Sequence, residues 1–171
     1  MKLKELQKIN NQVEVLAKKE NKHFYFGRFI PNTKFVFVGE MPTDPKDWSP
    51  YDNFNLSASD KKFFDLLNKY GFGGSYITDI VKKTEDPRRP NEQELSEWLP
   101  LLTEEIRCIN PDVAIAISKD TFETLNKNKD ILGVVNLECI WHPSYVQRYN
   151  KWAEYENQIK LLSKRYNSGN E

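Results

Sequence analysis

Lys34-Phe35-Val36-Phe37-Val38-Gly39-Glu40-Met41-Pro42 is an apolar run that breaks at a glycine and delivers a carboxylate. Phe35 to Val38 are apolar at successive positions, so both faces of that strand must be covered. This is the pattern of a central strand in a parallel sheet flanked by helices. A second segment, Ile140-Trp141-His142-Pro143-Ser144-Tyr145, ends another apolar run by delivering a histidine. A carboxylate and an imidazole just past two strand ends are the minimum for acid–base or electrostatic catalysis.

Working outward, Leu3, Leu6, Ile9, Val13 and Leu16 recur at three- and four-residue intervals and predict an amphipathic helix over 3–20. A connector from Asn21 to Thr33 leads into the first strand. The long segment from Pro42 to Ser57 reads as a functional lid because of its aromatic residues. Ser57 or Ser59 caps a helix striped by Phe63, Phe64, Leu66, Leu67 and Tyr70 and ended by Gly71. Tyr76 to Val81 reads as a strand and Lys82 to Pro90 as a charged loop. Asn91 with Glu94 forms a capping-box start for a helix through Leu95, Trp98, Leu102 and Ile106, with a kink expected at Pro100. Further strands are expected at 112–117 and 134–141, with helices at 121–125 and 152–162 and disorder from about Asn167.

Alternating strands and helices predict a three-layer α/β/α domain spanning 1–171, with a central four-stranded parallel sheet and an N-terminal helix within 1–22. In such sheets the site lies beyond the carboxyl ends of the strands. Glu40, Asp79 and His142 all fall at or just after those ends.

The 171 residues carry 39% hydrophobic and 29% charged side chains, as expected of a globular chain of about one domain. No apolar stretch approaches a bilayer span and no signal-peptide core is present, so a cytoplasmic protein is expected. The formal net charge of +0 removes any bulk attraction to nucleic acid, leaving only local clusters such as Lys82-Lys83 and Arg88-Arg89. Two cysteines, Cys108 and Cys139, lie in apolar-periodic surroundings and read as buried structural thiols.

Taken together, these segments resemble the uracil-DNA glycosylase superfamily, most closely the branch whose first motif begins Gly-Glu-Ala-Pro. That motif reads here Gly39-Glu40-Met41-Pro42, the base-stacking aromatic is matched by Phe54, and Tyr76-Ile77-Thr78-Asp79 matches the family's Tyr-Ile-Thr-Asn. An Arg/Pro-rich loop follows at Pro87-Arg88-Arg89-Pro90, and the final His-Pro-Ser is His142-Pro143-Ser144. The resemblance covers roughly residues 33 to 150. It departs in two places. The branch's iron–sulfur cluster needs four cysteines, and this chain has two, so no cofactor is expected; Lys83 and Trp98 stand near two of the expected positions. Asp79 stands where most of the family has asparagine.

The resemblance implies a monofunctional DNA glycosylase acting in base excision repair. It would flip a uracil or related deaminated base out of DNA and hydrolyse its N-glycosidic bond with water. Glu40 would stabilise the sugar's positive charge and place the water, and His142 would donate to the base oxygen. Phe54, Asp79 and Met41 would contact the base, although Phe54 reads equally well as core packing. Lys82, Arg88, Arg89, Ser144, Tyr145, Val146 and Arg148 would contact DNA, with Tyr145 or Val146 as the wedge in a loop from Ser144 to Tyr149. A monomer partnered by DNA, with no membrane contact, is expected.

Asparagine suits uracil by donating to O4 and accepting from N3–H, whereas an ionised aspartate only accepts. Weakened or altered uracil excision is therefore expected. The competing reading is a catalytically weak or inactive member of the same fold that binds nucleic acid or nucleotides. An unrelated small hydrolase is disfavoured because no serine or cysteine nucleophile motif is present.

Overall fold

The computed structural model describes residues 2–28, 33–44, 47–54, 57–85 and 89–167. Its elements run α1 (Lys2–Lys19), β1 (Phe35–Gly39), α2 (Ala58–Lys69), β2 (Tyr76–Asp79), α3 (Glu92–Ile109), β3 (Val113–Ile117), α4 (Lys119–Lys127), α5 (Lys129–Leu132), β4 (Asn136–Ile140), α6 (Pro143–Arg148) and α7 (Trp152–Tyr166). The strands form one all-parallel sheet in the order β2-β1-β3-β4, with helices on both faces. The expected three-layer α/β/α fold is therefore present.

Strand alternation splits the core in two. Val36, Val38, Ala114 and Ala116 turn toward α1 and α3, where Leu6, Ile9, Val13, Trp98, Leu102 and Ile106 meet them. Phe35, Phe37, Ile115 and Ile117 turn to the other face, against Phe63 and Leu67 of α2 and Tyr155 and Ile159 of α7. The two-residue period of a strand sends alternate side chains to opposite faces, so a continuous apolar run feeds both layers. At the edge the rule relaxes: Asn136 and Cys139 of β4 are exposed and Ile140 is buried.

The helix starts follow local chemistry. Ser57 accepts from Asp60 N–H at 3.1 Å while the Asp60 carboxylate accepts from Ser57 N–H at 3.1 Å, and Asn91 and Glu94 form the same reciprocal box. Pro100 lies inside α3 without ending it. The connector before β1 runs antiparallel beside β2, with bridges Arg28↔Ile77 and Phe24↔Lys83, and so shields that edge of the sheet.

Several expectations need correction. Cys139 is exposed and Cys108 only half-buried, so neither is a buried core thiol; β4 is an edge strand, and Cys108 lies near the end of α3. Residues 143–148 are helical rather than a loop, because Pro143 at the first helical position and a capping His142 start a turn. Asn167 is ordered: it ends α7 and donates from its side chain to Tyr70 O at 3.1 Å. The rest of the expected tail, 168–171, lies outside the described residues.

Candidate active site

The chain enters the sheet at β1, passes to β2 on one side and then crosses back to β3 on the other. The crossovers after β1 and β3 thus leave in opposite directions, and a crevice opens at their carboxyl ends. A cleft of about 560 Å³ lies there. Glu40 and Met41 from the end of β1, Ser118, Lys119 and Asp120 from the end of β3, and Trp141 and His142 from the end of β4 line it. The volume is on the scale of sites that enclose a small organic ligand. The structure therefore brings Glu40 and His142 together on one cavity, although 101 residues of sequence (positions 41–141) separate them.

Glu40 is half-buried just past Gly39. The backbone there is pinned: Gly39 O accepts from Ile80 N–H at 2.9 Å and Glu40 O from Val81 N–H at 3.0 Å. Burial pushes the Glu40 carboxyl up, the Arg89 guanidinium opposes this, and Asp120 adds to the rise. Arg89 is exposed at the rim and paired with Asp120.

His142 caps α6. Its Nδ1 accepts from Ser144 N–H at 3.1 Å, with the Ser144 hydroxyl 2.7 Å away. A ring nitrogen that accepts from an amide carries no proton, so the neutral ring holds its hydrogen on Nε2. Burial lowers the His142 pKa, with Asp60 opposing, which favours that neutral form. The imidazole is thereby a fixed N–H donor at neutral pH.

Asp79 ends β2 directly beside Gly39 in register. It is only 2% exposed and does not line the cleft. A Cβ built on Gly39 would stand 2.2 Å from Asp79 Oδ1 and 2.8 Å from Phe54 Cζ, so only glycine lets the carboxylate and the phenyl edge meet over β1. Asn53 Nδ2 donates to Asp79 Oδ2 at 2.7 Å. Burial raises the Asp79 pKa to about 7, against the lowering effects of the Asn53 bond and Lys82. Phe54 packs on Phe63 at 6.3 Å between ring centroids and holds a left-handed φ of 56°. A bulky side chain adopts that conformation only where surrounding contacts impose it. Phe54 thus sits with Asp79 rather than in the open cleft.

The expected DNA contacts divide sharply. Lys82 is 1% exposed, and its ammonium lies 2.7 Å from Glu105 Oε2, 2.6 Å from Thr78 Oγ1 and 2.7 Å from Asp79 O. It cannot reach a phosphate. Val146 is fully buried and packs in the core under α6, so it is no wedge. Lys83, the other half of that local charge cluster, is also buried and paired with Glu94 at 2.9 Å and with Glu20. Arg88 lies outside the described residues. Arg89, Ser144, Tyr145 and Arg148 all line the cleft and are exposed.

The long segment after β1 is strapped down. Trp48 stacks on His23 at 4.6 Å and donates to Phe24 O at 2.8 Å, and Phe26 N–H donates to Pro50 O at 2.8 Å. Asn53, Ser118 and Asp120 escaped the sequence reading. The strand-end rule that singled out Glu40 would also have singled out Ser118, whereas nothing local marks Asn53.

A family model, the uracil DNA glycosylase superfamily, matches residues 26–164 and so takes in every element from β1 to most of α7. The chain belongs to that superfamily. Among curated proteins no match was found. The four-thiolate cluster of the Gly-Glu-Ala-Pro branch does not fit these residues. Cys108 Sγ sits against Lys2 O at 3.5 Å and Cys139 Sγ against Ser118 O at 3.4 Å, in separate places, and only these two cysteines exist. Lys83 is occupied by carboxylates and Trp98 by the core. Among the described residues no cluster of three or more histidine, cysteine or acidic side chains is placed to hold a metal. Nor, among them, is any helix long and apolar enough to cross a membrane.

Proposed function

We propose that this superfamily member is a monofunctional DNA glycosylase that hydrolyses the N-glycosidic bond of an extruded, deaminated base. It is nearest the Gly-Glu-Ala-Pro branch but works without a cluster. The observation that carries the reading is the shared cleft, with a carboxylate on one strand end and a neutral N–H donor on another.

Bond cleavage builds positive charge on the sugar and negative charge on the departing base. Glu40 stabilises the first and orients the attacking water, and Arg89 helps keep it ionised against burial. His142 Nε2–H donates to the base oxygen where the second develops, and a donor already fixed in place needs no reorganisation. DNA must present its base extruded, because the glycosidic bond is out of reach in the stack.

Asp79 reads the base edge once the base has moved in past Phe54. Its Oδ2 is committed to Asn53, so Oδ1 does the reading. As a carboxylic acid, Oδ1 is a donor suited to a uracil O4. As a carboxylate it repels that oxygen. With a pKa of about 7 both forms are populated near neutrality, so uracil release falls as pH rises through 7.

The test is a panel of oligonucleotides carrying uracil, hypoxanthine, xanthine or mismatched pyrimidines, treated with alkali after incubation. Strand cleavage at any lesion, reduced about 10²- to 10⁴-fold in Glu40→Gln, is expected. Tight binding with no release from any of them would sink the catalytic reading and leave a binding member of the fold.

A further inference from the structure

The wall of the cleft does not stop at its rim. Trp141 and Tyr145 line it, and Tyr149 continues the same row at the same four-residue spacing. Ring centroids are 5.7 Å apart from Trp141 to Tyr145 and 4.8 Å from Tyr145 to Tyr149. Tyr145 is 40% exposed and Tyr149 56%, unusual for adjacent large rings. The rings are inclined to one another by 67° and 49°. Lys151 lies over one side of the row, its ammonium 5.1 Å from the Trp141 centroid and 5.7 Å from that of Tyr145, with Arg148 exposed on the same cleft.

Resting on the glycosylase reading, we infer that this row is a stacking platform for unpaired nucleotides flanking the reacting base, and that single-stranded DNA is the favoured substrate. Three observations point that way. The row is continuous with the catalytic cleft, so a strand whose base occupies the cleft runs out over it. Aromatic faces take up bases only when those bases are not already stacked in a duplex, and such stacking tolerates any sequence. Duplex binding draws chiefly on phosphate neutralisation, yet net charge is +0, Lys82 and Lys83 are buried in internal ion pairs, and Arg89 is paired with Asp120. On this flank short-range stacking, with Lys151 and Arg148 beside it for the backbone, is the attraction on offer.

The test is fluorescence anisotropy of a labelled 12-nucleotide oligothymidine, alone and paired with its complement, against the full chain. Single strand binding about tenfold or more tighter than duplex is expected. Tyr149→Ala and Tyr145→Ala should each weaken single-strand binding about tenfold, with duplex binding unmoved and Tyr149→Phe restoring wild-type affinity. Tyr149 is more than half exposed, so its replacement leaves the core intact, and a thermal melt of each variant checks this. Wild-type failure to bind the single strand, equal loss on both forms, or no loss in Tyr149→Ala overturns the platform. Base release separates the two readings. Release lost in Glu40→Gln with Tyr149→Ala binding normally keeps the glycosylase and discards the platform. Tyrosine-dependent strand binding with no release does the reverse.

Discussion

The two flanks of the cleft are built on opposite principles. On the β2 flank the chemistry-bearing side chains are engaged inside the protein: Asp79 through its Oδ2 by Asn53, Lys82 by Glu105 and Thr78, Lys83 by Glu94 and Glu20. On the β4 flank His142, Tyr145 and Arg148 face the cleft, and the row of rings continues outward. Charge density along the chain gives no hint of this. Lys82 looked like a nucleic-acid contact and is instead, with Lys83, part of the scaffold, while the neutral tyrosines stand on the surface. A buried ammonium survives only with partners that repay its lost hydration, so its presence reports structure rather than recognition.

Breaking the β2 flank should cost stability most. Lys82→Met leaves Glu105, 1% exposed, without its cation, and is expected to lose about 3–5 kcal/mol. That is a fall of roughly 10 °C in melting temperature by calorimetry. A loss under about 1 kcal/mol would mean the pair adds little.

On the β4 flank His142→Ala should lower the melting temperature by only about 2–4 °C, the cost of one helix cap, and slow base release about 10²- to 10³-fold, the usual cost of one fixed donor. A variant that melts early and releases bases normally would invert the comparison.

Asp79→Asn sharpens the boundary between the two. Asp79 titrates near 7 when folded and near 3.8 when not, so the folded state holds the extra proton between those values. Its contribution is intact below about pH 4 and is lost as pH rises toward 7. The asparagine variant should therefore match wild type near pH 4 and exceed it by about 1–3 kcal/mol at pH 8, read by denaturant titration. Uracil release by the variant should lose its decline above pH 7. A difference from wild type that is the same at both pH values would show that folding does not raise the Asp79 pKa.

The smallest effect is expected at the rim. The Arg89–Asp120 pair is exposed, so Arg89→Ala should change stability by less than about 1 kcal/mol. Removing that cation raises the Glu40 pKa further, which moves the acid limb of the pH–rate profile upward. An unmoved limb with a shallower salt dependence of binding would assign Arg89 to phosphate instead.

Phe35 to Val38 determined the fold class without help, because four apolar residues in succession can be buried only by layers on both faces. The two capping boxes at Ser57 and Asn91 were equally legible, since their bonds close within four residues. Gly39, Glu40 and His142 could be placed by their position at strand ends. Which residues faced the cleft was beyond local reading. Asn53 meets Asp79 across 26 positions and Lys82 meets Glu105 across 23, and neither distance is encoded nearby. Sequence by itself thus determined where strands end and which chemistry stands there. Only the tertiary structure decided which charges are consumed inside and which side chains remain to meet a ligand, because burial depends on what the rest of the chain packs around each group.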